Sequence, residues 1–226
     1  MYYLNDVGIL CTLGNSKGQI VDALLTSDRA IPTQASLFSP QDGQQVGRIH
    51  ASLPELPTSL ERFDCRSNRL ALAALEQLYP AFDAAVARYG TSRIGVVMGT
   101  STSGIAATEA AVRAIANQGD YPLGYHAIQG ALGGLGEFVA AYLGTKGPVS
   151  TVSTACSSSG NAILSARRLL NLGLCDAVVV GGVDSLCELT VKGFAALEAL
   201  SSAYCKPLTA GRDGINIGEA AAVFLL

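Results

Sequence analysis

Residues 147–171 read GPVSTVSTACSSSGNAILSARRLLN, and the fold depends on how this stretch divides. Residues 149–153 alternate apolar and hydroxyl side chains directly after Gly147-Pro148, which is the pattern of a strand. From Asn161 onward, Ala162, Ile163, Ala166, Leu169 and Leu170 recur at helical spacing, and Gly173 marks a stop. Cys156 falls at the junction, among Ser153, Thr154, Ala155, Ser157, Ser158, Ser159 and Gly160. Small side chains there let strand and helix backbones approach closely. A helix N-terminus also supplies unpaired N–H groups and the positive end of the helix dipole. Such a place favours a thiolate and offers backbone donors to a developing oxyanion. A free cysteine can equally be a small buried hydrophobe, and the spacing alone leaves both readings open. The G-x-S-x-G pattern of hydrolases is absent.

The flanking segments repeat the strand-to-helix pattern. Residues 176–182 (DAVVVGG) form a β-branched run that Asp184 ends, and residues 93–98 (RIGVVM) form another. Both read as strands buried on two faces, as in a parallel sheet. Residues 99–104 (GTSTSG) join the earlier strand to a helix expected over 105–117. A loop of small residues before a helix can cradle phosphate, but this one lacks the Gly-Lys-Ser/Thr end of a nucleotide loop.

Toward the N-terminus, residues 2–13 read as a strand bent at Gly8, and Ser16 caps a helix reaching Leu25. Residues 26–58 carry scattered Pro, Gly, Ser and Gln without periodicity and read as a long ordered loop containing His50, a solvated side chain. Ser67 is the expected cap of a helix that Pro80 interrupts, with a second helical stretch over 81–89. Residues 124–145 read as a helix with a glycine-rich front that includes His126. An ion pair of Arg212 with Asp213 or Glu219 is expected near the C-terminal end, and residues 220–226 (AAAVFLL) begin one more apolar strand.

Composition narrows the function. The chain has 226 residues, is 49% hydrophobic and carries a net charge of −3, which gives no electrostatic case for nucleic acid. Its six cysteines form no C-x-x-C pair, so neither a zinc site nor a redox pair is indicated. The N-terminus does not read as a signal peptide, and no apolar run is long enough for a membrane span. Reduced thiols and a cytoplasmic location are therefore expected. Alternating strands and helices with buried strands argue an α/β fold, a mixed and mostly parallel sheet covered by helices.

The segment STACSSSGNAI around Cys156 resembles the nucleophile segment of β-ketoacyl-acyl carrier protein synthases, the condensing enzymes of fatty-acid and polyketide synthesis. Three further stretches agree. The GTSTSG loop is similar to the family's glycine-rich loop, keeping Gly99 and Gly104. Residues 186–201 resemble a G-F-x-x-x-x-A-L-S element. Residues 205–219 resemble C-R-P-F-D-x-x-R-D-G-x-x-x-G-E-G, matching at Arg212, Asp213, Gly214, Gly218 and Glu219, with Ala220 where relatives have Gly.

This resemblance implies a thiolase-like layered fold, of which residues 1–226 are the N-terminal domain and first of two halves. It implies that Cys156 accepts an acyl group from an acyl carrier protein and that a malonyl thioester supplies the second carbon unit. It places Thr102 beside the acyl chain, and His126 near a dimer segment that lines the neighbouring subunit's pocket. The assembly implied is a homodimer, or a heterodimer with a related synthase subunit. No cofactor is implied, since the phosphopantetheine arm belongs to the carrier protein. Thiolase-like acyl-CoA enzymes and non-catalytic chain-length partner subunits share the fold; the segment 212–219 favours the carrier-protein branch and Cys156 the catalytic one. The family's two catalytic histidines and second oxyanion loop lie in a second half that these residues do not contain. The segment is therefore expected to be part of a roughly twice longer enzyme. Alone it is expected to acquire an acyl group slowly at most, to form no carbon–carbon bond, and to expose its last strand as a sticky edge.

Overall fold

The structure is a computed structural model, and it describes residues 2–26, 33–34 and 45–226. In chain order the elements are β1 (Asp6–Leu10), α1 (Lys17–Leu25), β2 (Thr33–Gln34), β3 (Gln45–Gly47), α2 (Arg66–Tyr89), β4 (Ile94–Gly99), α3 (Ile105–Gln118), α4 (Gly134–Leu143), β5 (Val149–Val152), α5 (Ser158–Asn171), β6 (Ala177–Asp184), α6 (Glu188–Ala196), β7 (Ile217–Gly218) and β8 (Ala220–Leu225).

The two β-branched runs become neighbouring central strands. The main sheet has the order β1-β8-β6-β4-β5. β4 pairs in parallel with both β5 and β6, while β8 is antiparallel to β6 and to β1. Four of the five strands thus run one way and β8 alone runs back. A second, smaller sheet has the order β2-β3-β7.

Alternation along the central strands feeds a core on each face. Ile94, Val96 and Met98 of β4, with Val179 and Val183 of β6, pack against α2 and α4 through Leu70, Leu75, Leu135 and Phe138. Val97, Val178 and Val180 point the other way, onto Ala162 and Ala166 of α5. Every residue of β4 is buried, and each of its large apolar side chains contributes about 1.5–3 kcal/mol. The expected layered α/β fold is therefore the observed one.

Several local expectations are corrected. β1 is not bent at Gly8, which pairs in register with Val223. A side chain at position 8 would run into the Ala74 carbonyl, so the glycine admits α2 against the sheet. α2 begins at Cys65 as its N-cap, not at Ser67, which is buried in the first turn with an unpartnered hydroxyl. α2 also continues through Pro80 for 24 residues. Pro80, Glu76 and Tyr79 are all exposed, so the helix bond that proline removes lies on the solvent side, while the opposite face stays packed.

In the 26–58 segment, β3 pairs with β7, and residues 27–32 and 35–44 lie outside the described residues. The glycine-rich front of 124–145 is not helical throughout: a short turn at Ala127–Gln129 precedes α4. β8 is interior, between β1 and β6, and its apolar residues Ala221 and Val223 are fully buried. The exposed edge expected there does not exist in this sheet.

The expected Arg212 ion pair is also absent. Arg212 donates to the Thr209 carbonyl (3.1 Å), and Asp213 accepts from the Ser201 hydroxyl (3.0 Å). Glu219 pairs instead with Arg66, through Nε at 2.8 Å, and accepts the N–H groups of Ile49 and Leu186. Burial pushes the Glu219 carboxyl up. The Arg66 hydrogen bond, the Ile49 N–H, the Arg66 charge and the Leu186 N–H outweigh that, so the net direction is down. A carboxylate with no side-chain exposure thus binds the start of α2 to the segment leaving β6.

Candidate active site

Because β4, β5 and β6 are parallel, their carboxyl ends share one edge of the sheet. In open α/β sheets, ligands bind outside this edge. Gly99 at the end of β4 sits opposite Val152 of β5 on one side and Gly182 of β6 on the other. The N-terminus of α5 crosses just above them. A side chain on Gly99 would come within 2.7 Å of the Ser158 carbonyl carbon and the Ser159 nitrogen, and one on Gly182 would strike Ser159 Oγ. Glycine at these two positions is what allows the helix to start so close to the strand ends.

Cys156 lies between the end of β5 and Ser157, the N-cap of α5, and its side chain is exposed. The preceding residue, Ala155, has φ +51°, a left-handed conformation that residues with a Cβ adopt at a cost. The turn is held by its own hydroxyls. Ser158 Oγ accepts from Thr154 N (2.9 Å) and donates to the Ala155 carbonyl (2.6 Å). Ser157 Oγ donates to the Thr154 carbonyl (2.8 Å), and Asn161 Nδ2 donates to Thr154 Oγ1 (2.9 Å). Thr154, Ser157 and Ser158 are therefore the fasteners of a strained turn, which leaves Cys156 exposed at a helix N-terminus. Cys156 shares a helix start with two other thiols: Cys65 and Cys187 are the N-caps of α2 and α6, and both are buried.

The loop at 99–104 reaches the same edge. Its N–H groups are not open to a phosphate, because Asp184 at the end of β6 already occupies them. Asp184 Oδ1 accepts from Ser101 N (2.7 Å), Thr100 Oγ1 (2.9 Å) and Thr102 N (3.3 Å), and Ser101 Oγ lies 3.2 Å from Oδ2. Ser101 Oγ is also 3.3 Å from the Ala155 carbonyl. Thr102 is thereby tied, through one intervening residue, to the turn that carries Cys156. The sequence placed Thr102 in this loop but missed Asp184 and Ser101. The one available signal was an acidic residue closing a fully apolar strand.

His126 goes elsewhere. It is exposed, precedes the short turn at Ala127–Gln129, and lines a cleft with Glu61, Asp64, Leu123 and Tyr125 that neither Cys156 nor Thr102 lines. His50 is exposed and lines a separate cleft with Cys11, Asn15 and Arg48. Among the described residues, no group of three or more His, Cys, Asp or Glu side chains could hold a metal ion, and no helix is long and apolar enough to cross a membrane.

The model of the β-ketoacyl synthase N-terminal domain matches residues 21–226. The chain belongs to the β-ketoacyl synthase family. Nodulation protein E of Rhizobium sp. (strain N33) is 27% identical over 235 residues, covering 99% of this chain and 56% of that protein. The 3-oxoacyl-[acyl-carrier-protein] synthase 2 of Rhizobium meliloti (strain 1021) is 40% identical over 89 residues, 36% of this chain and 21% of that one. Among solved structures, a ketosynthase in complex with its chain length factor from Xenorhabdus doucetiae superposes with a TM-score of 0.92 at 41% identity, over 99% of this chain and 57% of that one. The ishigamide ketosynthase/chain length factor shares the fold, with a TM-score of 0.81 at 19% identity. The chain spans little more than half the length of the relatives it matches throughout.

Proposed function

We propose that this chain is the nucleophile-bearing part of a β-ketoacyl-carrier-protein synthase, with Cys156 as the acyl-accepting group. One observation carries this reading. Cys156 is exposed on a strained, hydroxyl-braced turn at the carboxyl edge of the parallel strands, where α5 begins. The Cys156 thiolate attacks the carbonyl carbon of an acyl thioester. A new carbon–sulfur bond forms, the carrier's carbon–sulfur bond breaks, and the pantetheine thiolate leaves and takes a proton. A malonyl thioester then loses carbon dioxide. The resulting enolate carbon attacks the acyl-cysteine, and the Cys156 thiolate is released. Dividing the reaction in this way is covalent catalysis.

Thr102 lies on the loop joined to this turn and faces the acyl chain in the same reading. His126 belongs to a subunit contact, in a dimer with a like or related chain. The complex of a ketosynthase with its chain length factor at 41% identity supports a paired assembly. The cysteine favours the ketosynthase role over that of a non-catalytic partner. The carrier protein brings the phosphopantetheine arm, and the location proposed is the cytoplasm.

The test is acylation of the full-length protein by an acyl-carrier-protein thioester, followed by intact mass and peptide mapping. The adduct is expected on Cys156. The variant Cys156→Ala should lose at least about three orders of magnitude in rate, as removal of an enzyme nucleophile does. An adduct that persists at wild-type rate in Cys156→Ala overturns the reading.

A further inference from the structure

The residue at this edge with the most hydrogen bonds to the loop is not Cys156 or Thr102 but Asp184. It closes β6, an otherwise apolar strand, and its carboxylate faces across to the end of β4. Four donor groups converge on it: the Thr100 hydroxyl, the Ser101 N–H, the Ser101 hydroxyl and the Thr102 N–H. Thr100 Oγ1 in turn accepts the Ser103 N–H at 2.8 Å, and Ser103 has φ +51°. The loop is thus wound around a carboxylate, with a second left-handed residue at its far side. Hydrogen bonds to a charged acceptor are about twice as strong as neutral ones, so this anchor outranks any other single contact of the loop.

Ser101 has one hydroxyl proton and two acceptors in reach, Asp184 Oδ2 at 3.2 Å and the Ala155 carbonyl at 3.3 Å. The proton is shared between the loop's anchor and the strained residue that precedes Cys156. Position is therefore transmitted along a short physical chain: Asp184, Ser101, Ala155, Cys156. Ser158 Oγ holds the same Ala155 carbonyl from the helix side at 2.6 Å. The turn is gripped from both of its flanks.

We propose that Asp184 is a positioning residue for Cys156, fixing the 100–102 loop and, through Ser101, the left-handed Ala155 that precedes Cys156 at the start of α5. That this affects acyl transfer rests on Cys156 being the acyl acceptor; that it affects the thiol does not. Asp184 touches no reacting atom, so its effect appears as a change in Cys156 reactivity.

The experiment uses the full-length protein and its variants Asp184→Ala, Asp184→Asn and Ser101→Ala. It reads the iodoacetamide alkylation rate of Cys156 relative to Cys11 in the same sample, since Cys11 is partly exposed and outside this network. Amide exchange of the buried β4 and β6 strands verifies that the sheet persists. Asp184→Ala is expected to slow Cys156 relative to Cys11 by about tenfold or more, the scale of a lost charged hydrogen bond. Asp184→Asn keeps an acceptor oxygen without the charge, so its drop should be several-fold. Ser101→Ala, on an exposed side chain, should give a similar several-fold drop. A general loss of stability would open the fold and speed alkylation, at the partly protected Cys11 above all, and would not by itself lower the absolute rate at Cys156, which is read alongside the ratio. If Asp184→Ala fails to fold, the other two variants decide. A ratio unchanged or raised in the folded variants overturns the proposal. Acylation by an acyl-carrier-protein thioester is measured in parallel. If Cys156 takes no acyl group in the wild type while the alkylation ratio falls in the variants, the synthase reading fails and the positioning role stands.

Discussion

The loop after β4 runs from the neighbourhood of one cysteine to another, and the two cysteines are opposites. At its start, Ser101 reaches the Ala155 carbonyl beside the exposed Cys156. At its end, a side chain on Gly104 would come within 2.6 Å of Cys65 Sγ, and Cys65 is only 7% exposed. Both cysteines stand at the start of a helix. Cys65 is the N-cap of α2, and Cys156 precedes the N-cap of α5. Yet the Cys65 thiol is pushed up to about 11. Burial is the main cause and the Asp64 charge adds to it, against smaller opposing effects from the Asn68 and Ser67 N–H groups and Arg69. A helix N-terminus contributes about 0.3–1 kcal/mol in favour of an anion. Removing a thiolate from water costs more than that. Helix position alone therefore does not favour a thiolate when the thiol is buried.

The contrast should be largest in labelling. At pH 8, a thiol of pKa about 11 is ionised to roughly one part in a thousand, and only the thiolate reacts. Iodoacetamide should therefore modify Cys156 at least about a hundredfold faster than Cys65 in the native protein, measured by peptide mapping over time. Comparable rates in folded protein break the contrast and, with it, the argument that exposure selects the nucleophile.

The difference between these two cysteines was only half legible in the sequence. The strand–turn–helix around Cys156 followed from its hydroxyl alternation and helical spacing, because both patterns are local. The buried strands β4 and β6 were legible for the same reason, as continuous β-branched runs. Cys65 carries no such local mark. The 99–104 loop closes over it, with Gly104 packed against its sulfur, and no window of sequence contains that contact. A hydroxyl usually caps, so the sequence points to Ser67 as the helix start, yet Ser67 is buried. Glu219 shows the same limit. The sequence offers Arg212 nearby as its partner, but the actual partner, Arg66, is 153 residues away and is brought to it by the fold. Asp184 reads from the sequence as the end of a strand, but the donors that define it arrive from another strand's loop.

Thr102 stands between the two cysteines on their shared loop and sharpens the contrast from the middle. Its N–H is held by Asp184 and its side chain is half-buried at the strand ends. With Thr102→Phe, the ring should fill space on the Cys156 side. The expected result is about a tenfold loss in acylation by long acyl chains relative to short ones, the scale of discrimination a modest pocket change gives. Acylation rates across a series of acyl-carrier-protein thioesters measure it. A chain-length profile that stays flat places the side chain away from the acyl path.

The smallest effect should be that of Cys65→Ala, and its form matters more than its size. This variant removes a buried sulfur that contacts no reacting group, so acylation of Cys156 should be unchanged and stability at pH 7 should fall by about 1 kcal/mol. Its distinguishing mark lies at alkaline pH. The folded-state value of the thiol is raised, so above the unfolded value near pH 9 the unfolded chain loses its proton while the folded chain keeps it. Wild-type stability should therefore be fully present below about pH 9 and decline toward pH 11, with a slope of up to ~1.4 kcal/mol per pH unit from this one group. Cys65→Ala should flatten that limb, and Cys156→Ala should leave it as in the wild type. Urea unfolding at pH 7, 9 and 10.5 measures all three proteins. If Cys156→Ala flattens the limb and Cys65→Ala does not, the buried and the exposed thiol have been assigned the wrong way round.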